Sequence, residues 1–254
     1  MSSLISEKIS DFFQSGKKGL IWLIDPDDFQ SEDDFHEKLK RAVIAKVDFY
    51  FLGGSLLQRN SISEIIRLIK SVDEVTPVIL FPGSAIQFSH EADGILFMSL
   101  ISGRNPDLLI GQHVSIAPEL ARSKVEVLPT GYLLVDGGEK TSVHYISQTI
   151  PLPNHHPELS VATALAGKFL GLKYFYIDAG SGAPFPVSAK IIKSVKKAIE
   201  SPLIVGGGLD SLDKIKTAYQ AGADLVVLGN SLVKNMDLLE EVASFLDTIR
   251  FRVN

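Results

Sequence analysis

Glycine-rich breaks follow two neighbouring apolar runs near the C-terminal end of the sequence. Gly206, Gly207 and Gly208 end the first run, and Gly229 and Asn230 end the second. Backbone N–H groups exposed at such breaks, helped by the dipole of a following helix, can bind a phosphate dianion without a basic side chain. Each glycine taken alone is better explained by a tight turn between a strand and a helix.

A third break of the same kind lies in the segment YIDAGSG, residues 176–182. Gly180, Ser181 and Gly182 form a flexible turn there, and the Ser181 hydroxyl can add a donor. Three consecutive turns of this type favour a phosphorylated ligand. Asp178 stands directly before the turn, where its carboxylate would repel a phosphate. We therefore expect it to face a hydroxyl of the ligand, as a base or an orienting group, or else to be a hydrogen-bonded strand end.

Asp25 ends an apolar run near the N-terminus, with Asp27 and Asp28 close behind it. A carboxylate in this position is costly to bury without a partner. Mg²⁺ binds one or two carboxylates together with substrate phosphate and water, and Ser55, after the next apolar run, offers another oxygen. An aspartate-initiated turn explains residues 25–28 equally well, so both interpretations stay open.

Eight short apolar runs would position these residues. The predicted strands are residues 19–25, 47–54, 77–83, 93–99, 131–137, 173–180, 202–208 and 224–230. They lack strict polar alternation, which is typical of strands buried on both faces of a parallel sheet. Alternation with helices predicts one α/β domain over residues 1–254, a (β/α)8 TIM barrel of the phosphate-binding type. An open doubly wound sheet is the alternative, but nothing marks a reversal in strand order.

Helical periodicity follows most of these runs. The predicted helices are residues 31–46, 61–72, 160–172, 186–200 and 211–223. Ser31 is a predicted N-cap, and Ser61 has the capping-box spacing to Glu64. The segment between residues 99 and 160 is irregular, and the prolines of its second half predict no helix there before Pro157.

Composition excludes several classes of protein. The formal net charge of −5 does not favour a nucleic-acid partner, and a chain without cysteine has neither disulfides nor thiolate chemistry. The first residues do not resemble a secretory signal, and no apolar run approaches the roughly 18 residues that span a bilayer. We expect a cytoplasmic protein without a transmembrane segment. Transient contact with a membrane surface stays open, because a lipid substrate requires only an apolar mouth.

Several motifs, in their order along the chain, resemble geranylgeranylglyceryl phosphate synthases and their bacterial relatives, the heptaprenylglyceryl phosphate synthases. The most specific are LIDPD (residues 23–27), PTGYLLVDGG (129–138) and YIDAGSGAP (176–184). The resemblance covers about residues 20–235. Leu23 stands where Bacillus-type members have lysine, which favours the archaeal-like branch. Asp178 stands where many members have glutamate, one methylene longer.

The resemblance implies a prenyltransferase that joins sn-glycerol 1-phosphate to a polyprenyl diphosphate, with geranylgeranyl diphosphate as the expected donor, and releases diphosphate. Asp25 and Ser55 would hold Mg²⁺, and Asp178 would be the base. The implied glycerol 1-phosphate contacts are Tyr176, Ile177, Asp178, Ala179, Gly180, Ser181, Gly182, Gly207, Gly208, Gly229 and Asn230, with Tyr132 as a further contact. The apolar tail needs a groove lined from the loops after strands three to five. A homodimer or larger ring is also implied.

Two other functions fit the glycine turns. One is a sugar-phosphate isomerase or epimerase, which needs an acid and a base on opposite faces of its ligand. The other is a catalytically silent barrel that binds phosphorylated metabolites. A silent barrel has no need of Asp25, Ser55 and Asp178 together.

Overall fold

The computed structural model describes residues 4–28, 31–57 and 61–250 of the chain. Eight parallel strands form a closed barrel in chain order, and the first strand pairs with the eighth. The strands are β1 (Gly19–Ile24), β2 (Phe49–Leu52), β3 (Val78–Leu80), β4 (Gly94–Leu100), β5 (Glu126–Leu134), β6 (Tyr174–Asp178), β7 (Leu203–Gly206) and β8 (Leu225–Leu228). The closed barrel confirms the predicted fold and excludes the open sheet.

Helices surround the barrel and connect its strands. They are α1 (Ile5–Ser15), α2 (Glu32–Ile44), α3 (Ile62–Val72), α4 (Gln112–Leu120), α5 (Ser142–Ser147), α6 (Pro157–Phe169), α7 (Ala189–Ile199), α8 (Leu212–Ala221), α9 (Asn230–Lys234) and α10 (Asp237–Arg250). Within the described ranges, no helix combines the length and the apolar character that crossing a bilayer requires.

The first helix, which the sequence analysis did not predict, closes the bottom of the barrel. Ile5, Ile9 and Phe12 are buried in the same cluster as the inward side chains of the strands. The Glu126 carboxylate at the start of β5 accepts hydrogen bonds from the N–H groups of Ile5, at 2.6 Å, and Ser6, at 3.0 Å. These bonds satisfy two amides that a helix N-terminus leaves without partners. With this end closed, the barrel opens only at the carboxyl ends of its strands.

Two predictions in the irregular segment are corrected by the structure. The fifth strand begins at Glu126 rather than at 131, because Pro129 is tolerated inside it: its carbonyl accepts from Lys173 N at 3.0 Å. The prediction of no helix before Pro157 is wrong, since α5 precedes it. A capping box made by Thr141 and His144 stabilises the start of α5.

The predicted N-caps behave differently from each other. Ser31 accepts a hydrogen bond from Asp34 N at 3.2 Å and caps α2 as predicted. Ser61 makes no side-chain cap hydrogen bond within the described part of α3. The predicted capping box at Glu64 is therefore absent there, and burial of the isoleucines of α3 supplies the stabilisation instead.

Side chains alternate between two buried layers. On β6, Tyr174 and Tyr176 belong to the cluster inside the barrel, whereas Phe175 and Ile177 belong to the cluster between strands and helices. This alternation is the period of two that every strand imposes. It sends Asp178, two residues after Tyr176, into the open end of the barrel.

Candidate active site

A cavity of about 430 Å³ occupies the carboxyl ends of the strands. This is the face on which barrels of this type carry their functional groups. Residues that the sequence predicted for two different sites line this one cavity. They are Asp25, Ser55, Tyr132, Tyr176, Asp178, Ser181, Gly182, Gly207, Gly208, Gly229 and Asn230.

Three predicted substrate contacts, Ile177, Ala179 and Gly180, do not line the cavity. Ile177 and Ala179 are fully buried in the cluster between the sheet and the helices, so their side chains point away from any ligand. Gly180 donates its N–H to Asp178 Oδ1 at 3.0 Å, so this amide is already used. The Gly180 amide instead helps to hold the Asp178 carboxylate in place.

Free backbone donors converge on the cavity from the loops after β6 and β7. Within the described residues, nothing accepts a hydrogen bond from the N–H of Ser181, Gly182, Gly207 or Gly208. Gly182, Gly207 and Gly208 have φ values of +74°, +76° and +66°, which favour glycine. A Cβ at Gly207 would lie 2.5 Å from Asp178 Oδ1. Backbone conformation therefore favours glycine at all three positions, and space also requires it at Gly207 and Gly208, where an added Cβ would lie within 2.8 Å of other atoms. All three residues line the cavity with amides that have no partner among the described residues.

Asp178 is a buried carboxylate with two hydrogen-bond donors. Its Oδ2 accepts from the Tyr132 hydroxyl at 2.5 Å, and its Oδ1 accepts from Gly180 N. Burial raises the pKa of Asp178, while these two hydrogen bonds act in the opposite direction. Burial and the neighbouring carboxylate also raise the pKa of Tyr132, which keeps this hydroxyl a donor. A carboxylate with a raised pKa is a stronger base, and it remains open to the cavity.

A second group of oxygens lies across the cavity, on the loops after β1 and β2. Burial raises the pKa of Asp25 to about 6, and the nearby carboxylates of Asp28 and Asp27 add to this shift. A Cβ at Gly54 would lie 2.5 Å from Asp25 Oδ2, so the backbone after β2 packs directly against this carboxylate. Ser55 follows at once and lines the same wall.

Gln87, which the sequence analysis did not single out, fixes this wall. Its side-chain oxygen accepts from Gly83 N at 3.1 Å and Gly54 N at 3.4 Å, and its amide nitrogen donates to Gly54 O at 2.8 Å. The side chain is only 4% exposed. It ties the loop after β2 to the loop after β3. A glutamine at this position, after β3, gives no sequence signal for this role, because the contacts join distant parts of the chain.

The Asp25 wall has the donor chemistry for Mg²⁺. Among the described residues there is no group of three or more histidine, cysteine, aspartate or glutamate side chains arranged to hold a metal. A cation beside Asp25 and Ser55 would take its remaining ligands from a diphosphate and water, which is the coordination Mg²⁺ prefers. A cation would also offset the electrostatic cost of ionising Asp25 beside two other carboxylates. The residues present therefore fit the predicted metal.

The side chains that line the cavity are mostly acidic. Its acidic members are Asp25, Asp27, Asp28, Asp178 and Asp210. Lys234 is the basic residue that lines it within the described part of the chain, and the sequence analysis missed this lysine. A phosphorylated ligand would thus meet a mostly acidic lining, whose repulsion the free amides and a cation beside Asp25 could offset.

An apolar cavity of about 90 Å³ adjoins the polar one. Pro82 and Gly83 after β3, Met98 and Leu100 on β4, and Ile146 on α5 contribute to its lining. Its position agrees with the predicted location of a groove for an apolar tail, at the loops after strands three to five.

Comparison with known proteins identifies the family of this chain. The sequence model of the PcrB family matches residues 14–247. The chain belongs to this family. A geranylgeranylglyceryl phosphate synthase from Spirosoma linguale is 48% identical over 93% of this chain and 94% of the relative. One of the same name from Pyrococcus furiosus is 38% identical over 90% of this chain and 89% of the relative.

The structure of this PcrB family member is similar to solved structures of archaeal synthases. The crystal structure of (S)-3-O-geranylgeranylglyceryl phosphate synthase from Thermoplasma acidophilum, in complex with its substrate sn-glycerol-1-phosphate, superposes with a TM-score of 0.89 and 30% identity. The match covers 97% of this chain and 98% of the other. A thiamine phosphate pyrophosphorylase from Pyrococcus furiosus, with 12% identity and a TM-score of 0.53, shares the barrel fold alone.

Proposed function

We propose that the protein is a prenyltransferase that joins sn-glycerol 1-phosphate to a polyprenyl diphosphate through an ether bond and releases diphosphate. The observation that carries the proposal is the set of free amides at Ser181, Gly182, Gly207 and Gly208, which face the same cavity as the buried carboxylate of Asp178. Family membership supports it, because relatives over most of the chain are named as synthases of this type.

The glycerol 1-phosphate lies at the side of the cavity formed by the loops after β6, β7 and β8. Its phosphate accepts from the free amides, with Asn230 and Ser181 available as further donors. Its distant hydroxyl then reaches Asp178. Fixing one end of a small substrate aligns the other, and orientation of this kind accounts for much of the rate gain in two-substrate reactions.

The diphosphate of the prenyl substrate lies at the opposite wall, against Asp25 and Ser55. These two residues would hold Mg²⁺, which supplies Lewis-acid stabilisation of the negative charge on the departing diphosphate. The tail extends from this wall into the apolar cavity, past Phe81 and Val143, which line both cavities.

In the transfer step, the glycerol hydroxyl oxygen bonds to C1 of the prenyl group and its proton passes to the Asp178 carboxylate. The C1–oxygen bond to diphosphate breaks, and its electron pair leaves with the diphosphate. Tyr132 keeps the Asp178 carboxylate aimed at the substrate by donating to Oδ2. The carboxylate is raised in pKa by burial, which strengthens it as the acceptor of that proton.

The alternatives fit the geometry less well. An isomerase needs an acid and a base on opposite faces of its ligand, whereas Tyr132 and Asp178 are hydrogen-bonded to each other on one side. A silent barrel would have no use for the paired cavities, one polar and one apolar.

The test incubates the purified protein with labelled glycerol 1-phosphate, geranylgeranyl diphosphate and Mg²⁺ and measures the lipid product. We expect an ether-linked product that depends on Mg²⁺ and is absent with glycerol 3-phosphate at the same concentration. No ether product under any of these conditions would refute the proposal.

A further inference from the structure

The two cavities meet at a small set of shared residues. The polar and apolar cavities are both lined by Gly54, Ser55, Phe81, Tyr132 and Val143. On the proposed function, the prenyl substrate has a charged head at Asp25 and an apolar tail in the second cavity. Its C1 atom joins these two parts, so the reacting carbon lies at this boundary.

Phe81 is held rigidly at the boundary. Its ring is parallel to the buried ring of Phe51, with an interplanar angle of 7° and a centroid distance of 6.2 Å. Its centroid lies 5.5 Å from that of Tyr176 and 6.1 Å from that of Tyr132. Its backbone N–H donates to Leu52 O at 2.8 Å. The ring is half-buried, so part of it stays accessible to a ligand.

Charge develops at this boundary during the reaction. As the C1–oxygen bond breaks, positive charge spreads over C1 to C3 of the allylic group. Among the described residues, the lining of the apolar cavity contains no charged side chain that could offset it. The face of an aromatic ring attracts a cation through its quadrupole, most strongly where water is excluded.

We infer that the Phe81 ring is a catalytic group that stabilises the allylic cation as diphosphate departs. Phe81 suits this role better than its aromatic neighbours. Tyr176 is only 1% exposed. The Tyr132 hydroxyl is hydrogen-bonded to Asp178, which assigns that side chain to the glycerol end.

The test replaces Phe81 by phenylalanines with one, two and three ring fluorines, because fluorination weakens the ring quadrupole with little change in volume. We expect kcat to fall stepwise, with the trifluoro form about 30-fold below wild type, the factor expected for a desolvated cation–π contact. KM for the prenyl diphosphate should change less than about twofold on this basis. Phe81→Leu should lower kcat by at least as much while binding of inorganic diphosphate persists.

The matched control is the same fluorination at Phe88, which lines a neighbouring apolar cavity but neither of these two. Its kcat should stay at the wild-type value. A kcat that is independent of fluorination at Phe81 in an active enzyme would overturn the inference and leave the proposed function intact. A wild-type enzyme that forms no ether would instead refute the proposed function, and the inference with it.

Discussion

On the proposed function, the two ends of the polar cavity recognise phosphate groups in opposite ways. At the end formed by the loops after β6 and β7, the donors are backbone amides, set by glycines with positive φ. At the end formed by the loops after β1 and β2, the groups are side-chain oxygens of Asp25 and Ser55, on backbone fixed by Gln87. We propose that the first end binds an anion directly, whereas the second needs a cation between the protein and the ligand.

The difference has a physical consequence for the reaction. Amides carry no net charge and do not titrate, so on this proposal the glycine end would bind a phosphate without any change of protonation. The Asp25 end would bind a diphosphate only while a metal neutralises its carboxylates, and it would repel the product otherwise. One end is thus suited to positioning the acceptor, and the other to binding and releasing a leaving group.

Asp178 is the proposed base for the hydroxyl that joins the two substrates. Among the variants proposed here, Asp178→Asn should therefore lower kcat the most. The amide keeps the shape but accepts no proton, so we expect kcat to fall by about 10³-fold or more. Affinity for glycerol 1-phosphate should stay near wild type. Steady-state kinetics and calorimetry measure the two quantities. An Asn variant with near-normal kcat would remove Asp178 as the base.

Tyr132→Phe is the companion variant, with a pH profile as its readout. The Asp178 carboxylate acts when ionised, and its pKa is raised by burial, so activity should fall with decreasing pH at a value above the ordinary aspartate pKa of about 3.9. Loss of the Tyr132 donor removes an interaction that favours the ionised form. The acid limb should therefore move to higher pH, and an unmoved limb would contradict this role.

Asp25→Asn tests only the end of the cavity where Asp25 and Ser55 supply side-chain oxygens. Removing the charge that holds the cation should weaken Mg²⁺-dependent binding of diphosphate by about 100-fold, in the range seen when metal sites are altered. Binding of glycerol 1-phosphate should be unchanged, because its donors are amides on other loops. Calorimetry with each ligand separately measures both affinities. Equal losses for both ligands would mean that the ends are not independent.

Gly207→Ala tests the end of the cavity formed by backbone amides and should have a smaller effect than Asp25→Asn. A Cβ there would lie 2.5 Å from Asp178 Oδ1 at a φ of +76°, so we expect KM for glycerol 1-phosphate to rise at least about tenfold through strain at the loop. Gly171→Ala is the matched control, since its φ is +92° but nothing lies within 4 Å of the added Cβ. A similar KM change in both variants would attribute the effect to general destabilisation.

The sequence predicted those features that depend on one short segment of the chain. Buried apolar runs predicted all eight strands, and the glycine breaks predicted turns with positive φ after β6 and β7, because turn conformation depends on local residues. Prediction was less successful where contacts join distant segments. Gln87 holds Gly54 from 33 residues away, and no local pattern distinguishes it from any other loop glutamine.

One further failure has a physical cause of its own. Helix α5 was missed because nearby prolines suggested an irregular loop, yet it ends at Ser147, before the first of them.

The predicted contacts Ile177 and Ala179 came from a continuous motif that was carried over whole. The alternation of side chains along β6 and beyond sends every second side chain away from the cavity, and a motif alone does not show which ones.

The most direct test of the account is a crystal structure with sn-glycerol 1-phosphate bound. We predict its phosphate within hydrogen-bond distance of the amides of Gly182, Gly207 and Gly208, and its far hydroxyl on Asp178, facing Asp25 across the cavity. A phosphate bound instead at the Asp25 wall, or a hydroxyl directed away from Asp178, would contradict it.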